Sequence, residues 1–371
     1  MTVALFADND PVARRPRRGR SWIGWTLIAA ALVAVTVVAL TPAPYVIEKP
    51  GPVYNTLGTT SVEGEDVPLI EIPDEETYDT DGSLDMLTVT ITGNRSNSIN
   101  WLDTALAWLS PSQAVVDIDD VYPVGVTVEQ SNEQSQVEMQ NSQKEAIAAA
   151  LNDLGYTFSS TLTIAQVVEG SPAEGSIEEG DVITKVNGEK FADVTALKAA
   201  IAENGAGTPA KISLVRDGKT KTVEVTPVIP EGATAPIIGV VIGSEYDFPF
   251  DVTIQLDNVG GPSAGQMFAL GIIDKLTPGS ITGGENVAGT GTITASGEVG
   301  AIGGIRQKMY GAKDAGAEYF LAPVDNCNEV TGHIPSGLTV FAITTLDDSL
   351  AALEAISTGA DSSGLPTCPS S

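Results

Sequence analysis

Residues 260–265 read Gly-Gly-Pro-Ser-Ala-Gly, between a strand-like run at 252–256 and a helix-like run at 266–276. A serine hydroxyl that follows a glycine–proline turn in the first turn of a helix has free backbone N–H groups around it and the positive end of the helix dipole beside it. Such donors suit an oxyanion hole, and Ser263 reads as a candidate nucleophile in need of a base. The chain has one histidine, His333, in a loop-like Thr-Gly-His-Ile-Pro stretch (331–335) that offers it no acidic partner. A serine–histidine–aspartate triad is therefore disfavoured. The other option is lysine, because burial in an apolar pocket disfavours the charged form and moves the group toward the range of a useful base. Lys308 is the best placed. It follows a glycine-rich segment (297–305) and opens a run with Met309, Ala312 and Ala315 at the spacing of a helix packed on a core.

Gly-Pro-Ser-Ala-Gly (261–265), Gly-Thr-Gly (289–291), Gly-Glu-Val-x-x-Ile-Gly-Gly (297–304), Lys308 and Lys-Asp-Ala-Gly (313–316) together resemble the proteolytic domain of Lon-type serine proteases. Phe-Leu-Ala-Pro-Val-Asp-Asn (320–326) resembles the strand and turn that follow in that family. The resemblance covers residues 237–356. It implies an α/β proteolytic fold with Ser263 as nucleophile, Lys308 as general base and Thr290 as a hydroxyl that hydrogen-bonds the lysine. There is one departure: many Lon proteases carry an aspartate three residues before the serine, and here that position is Gly260.

The 371 residues carry a formal net charge of −29, unevenly placed. Residues 1–21 hold five arginines against two aspartates, a net of +3 that leaves −32 on the rest. A body of that charge repels nucleic acid and anionic lipid. The run 22–40 has no charge and is long enough to cross a bilayer as a helix, with the arginines before it. The positive-inside rule then keeps residues 1–21 in the cytoplasm and puts everything after the span outside. A cleaved leader is the rival, since alanines are plentiful and Thr-Pro-Ala-Pro (41–44) follows; the length of the apolar run favours a retained anchor.

The expected organisation is α+β: a transmembrane helix, an α/β N-terminal region at 53–154, a compact domain at 155–228, the Lon-like domain at 237–356 and a small, polar, disordered tail at 357–371. Residues 42–52 read as an extended spacer and 63–81 as a mobile acidic excursion. Residues 87–92 alternate Leu-Thr-Val-Thr-Ile-Thr, a strand with one buried face. Trp101, Leu102, Ala105 and Trp108 fall at helical spacing and read as core packing, and 140–154 as an amphipathic helix ended by Gly155. The compact domain contains Gly-Ser-Pro-Ala (170–173), Gly-Asp-Val-Ile (180–183), Val-Asn-Gly (186–188) and an Asp217-Gly218 hairpin turn. It resembles the PDZ domains attached to bacterial proteases, which implies a groove for an extended peptide between 162–168 and 194–203.

Ser-Leu-Val-Arg-Asp-Gly-Lys-Thr (213–220) nearly matches a phosphate-cradling loop but lacks its first glycine. No nucleotide, metal or other cofactor site is expected, so the ATP-driven module of soluble Lon enzymes is expected to be absent. Cys327 and Cys368 are compatible with one disulfide or with two free thiols. The expectation is a membrane-anchored serine endopeptidase acting on proteins or peptides, with no nucleic-acid partner and room for assembly with copies of itself. Its rivals are a peptide-binding module with an inactive scaffold and a serine–lysine hydrolase of non-peptide substrates.

Overall fold

The apolar and β-branched runs at 45–55 and 83–92 and at 286–289, 319–323 and 339–343 need a sheet with both faces covered. In the computed structural model they share one. The structure describes residues 20–62, 64–122, 127–191, 194–230, 235–256, 259–360 and 364–369, so the basic segment lies almost wholly outside it.

Helix α1 (Arg20–Leu40) carries the uncharged run, and among the described residues none buries 22–39. Strand β1 (Tyr45–Asn55) follows, then a small hairpin of β2 (Thr59–Val62) and β3 (Glu65–Pro68), the short β4 (Ile70–Glu71) and β5 (Ser83–Thr92). Helix α2 (Trp101–Trp108), β6 (Ala114–Asp117), α3 (Ile118–Val121) and the long α4 (Val128–Asp153) complete this part. The acidic excursion is more ordered than its composition suggested. Leu69 and Ile70 are fully buried and β4 pairs with a later strand, because two apolar side chains in a polar stretch find room in the core. Helix α4 starts well before residue 140, at a capping box in which Gln130 N donates to Thr127 Oγ1 and Thr127 N donates to Gln130 Oε1.

The next unit is a five-stranded sheet of β7 (Ser159–Val167), β8 (Val182–Val186), β9 (Ala210–Arg216), β10 (Lys219–Val225) and β11 (Val240–Asp247), in the order β10-β9-β8-β7-β11. Helix α5 (Val194–Asn204) covers it through Leu197 and Ile201, which join Leu162, Ile164, Ile183, Ile212 and Leu214 in a separate core. Two expectations change here. Residues 240–247 belong to this sheet and not to the domain that follows, so the unit ends later than 228. Moreover β7 is paired on both sides, by β8 and β11, and has no edge for a peptide. Strand β11 is one edge of the sheet, and a groove of about 220 Å³ lies between Ile242 and Ser244 of β11, Val194 and Lys198 of α5, Asn141 and Glu145 of α4, and Ile293 and Thr294.

The last unit runs through β12 (Thr253–Ile254), α6 (Gly265–Leu276), β13 (Asn286–Gly289), the β14 (Thr292–Ile293) and β15 (Val299–Gly300) pair and α7 (Ile305–Asp314). Then come β16 (Tyr319–Pro323), the short α8 (Cys327–Val330), β17 (Thr339–Ile343) and α9 (Leu346–Thr358). The six-stranded sheet has the order β17-β16-β13-β5-β1-β6, parallel from β17 to β5 and antiparallel beyond. On one face Leu84, Met86, Val287, Leu321 and Phe341 pack with Met267, Phe268 and Leu270 of α6 and with α4. On the other, Leu87, Ala288, Phe320 and Val340 pack with Ile305, Met309 and Ala312 of α7.

Residues 53–154 are therefore no separate unit. Strands β1, β5 and β6 are half of this sheet, and α4 is one of its covering helices. The 357–371 tail is also partly fixed. Thr367 bridges Phe341, and Cys368, nearly fully buried, forms a disulfide with Cys327. A small polar segment is held by one covalent link that its composition could not announce.

Candidate active site

Strand β13 is short. It stops at Gly289, whereas its neighbour β5 runs on to Thr92, so the sheet has a notch beside residues 87–92. Ser263 reaches this notch from one face of the sheet and Lys308 from the other. The serine lies in the turn before α6, a helix so apolar that residues 265–274 are all buried and its start is pinned against the sheet. The lysine lies one turn into α7. That helix begins at Gly304, whose φ of 69° is left-handed and whose Cβ, if present, would stand 2.7 Å from Val89 Cγ2. Only glycine allows both the conformation and the approach to β5. Asn326 steadies the loop before α7 by accepting from Ile302 N at 2.9 Å and donating to Ile302 O at 2.8 Å.

Lys308 Nζ is 2.7 Å from Ser263 Oγ and 2.8 Å from Thr290 Oγ1. Thr290 Oγ1 donates to Ser263 O at 2.9 Å, and Gly291 N donates to the same carbonyl at 3.0 Å. With its own proton committed, the threonine oxygen accepts from the lysine. One Nζ–H is thereby fixed and the amine lone pair is left to face the serine hydroxyl. Lys308 is 2% exposed, and burial alone brings its pKa down from the usual lysine range to about 7. A neutral amine is thus available near neutral pH. The backbone N–H groups of Ser263 and Ala264, at the start of α6, donate to no acceptor among the described residues and point the helix dipole toward the notch.

The structure explains the departure at Gly260. A Cβ there would stand 2.7 Å from Ser135 Cβ, and Gly261 N donates to Ser135 O at 2.7 Å. Helix α4 occupies the space an aspartate would need, and Ser142 Oγ adds a bond to Pro262 O at 2.9 Å. With no carboxylate there to favour the ammonium, burial lowers the lysine pKa unopposed. Of the sequence candidates, Ser263, Lys308 and Thr290 meet, while His333 is exposed and does not line the cleft.

Sequence reasoning missed the remaining walls of the cleft, which has a volume of about 570 Å³. They come from Pro52 and Tyr54 of β1, residues 86–91 of β5 and Met139 of α4. The one available signal was the Thr88/Thr90 alternation, polar side chains on a strand that enters a core.

Two families match the chain. The PDZ domain family matches residues 124–226 and the Lon protease (S16) C-terminal proteolytic domain matches residues 258–355. Lon protease 1 of Sorangium cellulosum is 36% identical over 94 residues, 24% of this chain and 11% of that protein. Lon protease 2 of Herpetosiphon aurantiacus is 32% identical over 166 residues, 40% of this chain and 20% of that protein. The chain thus spans a fifth or less of the length of these relatives. Among solved structures, the PDZ domain of the SdrC-like protein of Listeria monocytogenes is 21% identical with a TM-score of 0.21, covering 22% of this chain and 85% of that one. By sequence family, residues 258–355 match the Lon protease (S16) C-terminal proteolytic domain, and residues 124–226 before them match the PDZ domain.

Proposed function

We propose that this chain is an ATP-independent serine endopeptidase, anchored in the cell membrane by α1 with its body outside the cytoplasm, that hydrolyses exported or misfolded proteins through a Ser263–Lys308 dyad. The observation that carries the reading is the 2.7 Å approach of a buried Lys308 amine to Ser263 Oγ. Neutral Lys308 takes the hydroxyl proton as Oγ attacks the peptide carbonyl, and the backbone N–H groups at the start of α6 receive the oxyanion. The ammonium then protonates the leaving amine, and water, activated by the same lysine, releases the acyl group. Thr290 positions the amine. Water is the only co-reactant, so the chemistry needs no nucleotide.

The notch beside β5 suits an extended chain. A peptide laid along residues 87–91 takes the place β13 vacates, pairs with free backbone groups and brings a carbonyl to Ser263. The PDZ domain, with the groove between β11 and α5, supports a role in holding substrate or regulator chain ends. The 327–368 disulfide agrees with an oxidising compartment outside the cytoplasm.

The test uses full-length protein in detergent or nanodiscs, an unfolded protein substrate and a fluorophosphonate probe. Cleavage without ATP, together with probe labelling that Ser263→Ala abolishes, supports the reading. A folded protein that neither cleaves nor takes the probe, with or without ATP, overturns it.

A further inference from the structure

Helix α2 was expected to be core, and only half of it is. Thr104 and Ala107 are buried, and Asn100 caps the helix by accepting from Asp103 N at 2.9 Å. The opposite side carries Leu102, Ala105, Leu106 and Leu109 at the spacing of one helical stripe, with Trp108 beside it. These are open to solvent: Leu106 is 58% exposed, Trp108 59% and Leu109 82%. A helix that is apolar on both sides requires a second apolar medium on its outer one.

The chain next to α2 indicates which medium. Helix α1 ends at Leu40, and its exit is stitched at once to the start of α2. Trp101 N donates to Thr41 O at 3.3 Å, Pro42 bridges Asn100, and Ala43 N donates to Ile99 O at 2.8 Å. Tyr45 packs edge-on against both Trp101, with ring centroids 5.7 Å apart, and Trp108, at 6.3 Å. Residues 41–43 bond directly to 99–101, so the end of α1 and the start of α2 share one level. If α1 spans a bilayer, that level is the headgroup region, where tryptophan and tyrosine rings are favoured.

We infer that α2 is an interfacial helix, lying in the outer membrane–water boundary with Leu102, Leu106, Trp108 and Leu109 immersed in lipid. The inference rests on α1 being a retained span, as proposed above. The contact is apolar by necessity, because a body with so large a negative charge gains nothing from anionic headgroups. It also fixes where the protease works. Five residues lead from Pro42 to Ile47, which pairs with Thr92, the neighbour of the cleft residue Ile91. At about 3.3 Å per residue the cleft begins within roughly 20 Å of the membrane surface. Its nearest substrates are chains tethered in, or emerging from, the same membrane.

The test places a nitroxide on the full-length protein, one chain per phosphatidylcholine nanodisc, at Leu106→Cys, at Val33→Cys in α1 and at Asp217→Cys in the PDZ hairpin. Collision rates with oxygen and with a water-soluble nickel chelate report depth. The expected result is oxygen-dominated relaxation at positions 33 and 106 and chelate-dominated relaxation at 217. A label at 106 that behaves like 217, while 33 remains in lipid, overturns the interfacial helix and leaves the span intact. A label at 33 that is itself in water overturns the span and the inference with it. As a second measurement, brominated lipid should quench Trp108 when Trp22, Trp25 and Trp101 are replaced by phenylalanine, leaving Trp108 as the one tryptophan, and an unquenched Trp108 counts against the contact.

Discussion

The dyad pocket and the PDZ groove are built from the same kinds of element, a strand edge beside a helix, and they differ in what they exclude. At the dyad, sheet, α4, α6 and α7 close around Lys308 and leave it 2% exposed. At the groove, β11 and α5, flanked by α4 and β14, leave an opening to solvent, and Lys198 stays exposed. Water decides between the two tasks. A lysine becomes a base only where its charged form is poorly solvated, whereas a strand edge captures a peptide only where it is accessible. The two regions touch at α4, where Glu145 accepts from Tyr246 Oη and from Ala295 N, each at 2.8 Å, and Lys144 pairs with Glu245 at 2.8 Å.

The sharpest way to break this contrast is to leave a charge in the dry pocket that cannot be removed. On the proposed mechanism Lys308→Arg keeps the cation and loses the base, so kcat/KM should fall by roughly a thousandfold or more, as for Ser263→Ala, with the double variant little worse than either. His333→Ala should stay near wild type. An active Lys308→Arg enzyme would show that another group takes the serine proton.

A second measure is the pH profile of kcat/KM. If Lys308 is the base proposed above, its active form is the deprotonated one, and with a pKa of about 7 turnover should rise about tenfold per pH unit up to that value and then level. A profile still climbing steeply at pH 9 would mean that the amine is solvated.

Stability gives the converse reading of the same burial. The folded-state pKa is lowered from 10.5 to about 7, so between those values the unfolded chain holds the extra proton and stability rises with pH. Lys308→Met removes that penalty. It should abolish turnover yet stabilise the fold by about 1–3 kcal/mol at pH 7, net of two lost hydrogen bonds, with the gain fading toward pH 10.5. Denaturation midpoints at pH 7 and 10 measure it, and a gain that grows with pH would contradict the assignment.

The smallest effect belongs to the open site. Ile242→Arg places a charge on the half-buried floor of the groove. It should slow cleavage of a long unfolded protein severalfold and leave a short peptide substrate unchanged. Equal loss on both would make the PDZ domain a scaffold.

Some of this molecule was legible from local chemistry. Glycines and a proline before an apolar helix marked Ser263, and a glycine-rich run before a helix with core spacing marked Lys308, because turn geometry and helical periodicity are short-range properties. The hairpin at Asp217-Gly218, with φ of 51° and 72°, was readable for the same reason. What sequence could not supply was pairing across long separations. Strands β1 and β5 join β13 across the whole PDZ insertion, so residues 53–154 looked like a domain and are half of another. Strand β11 lies in the stretch read as the start of the Lon-like domain, 237–356, yet completes the sheet before it. Helix α2 had the spacing of a core helix, but periodicity shows which residues share a face and not what that face meets. Sequence alone singled out Ser263, Lys308 and Thr290 as candidates for the chemistry. The tertiary structure decided that Lys308, 45 residues from Ser263, is buried 2.7 Å from it, because desolvation and contact depend on how distant segments pack.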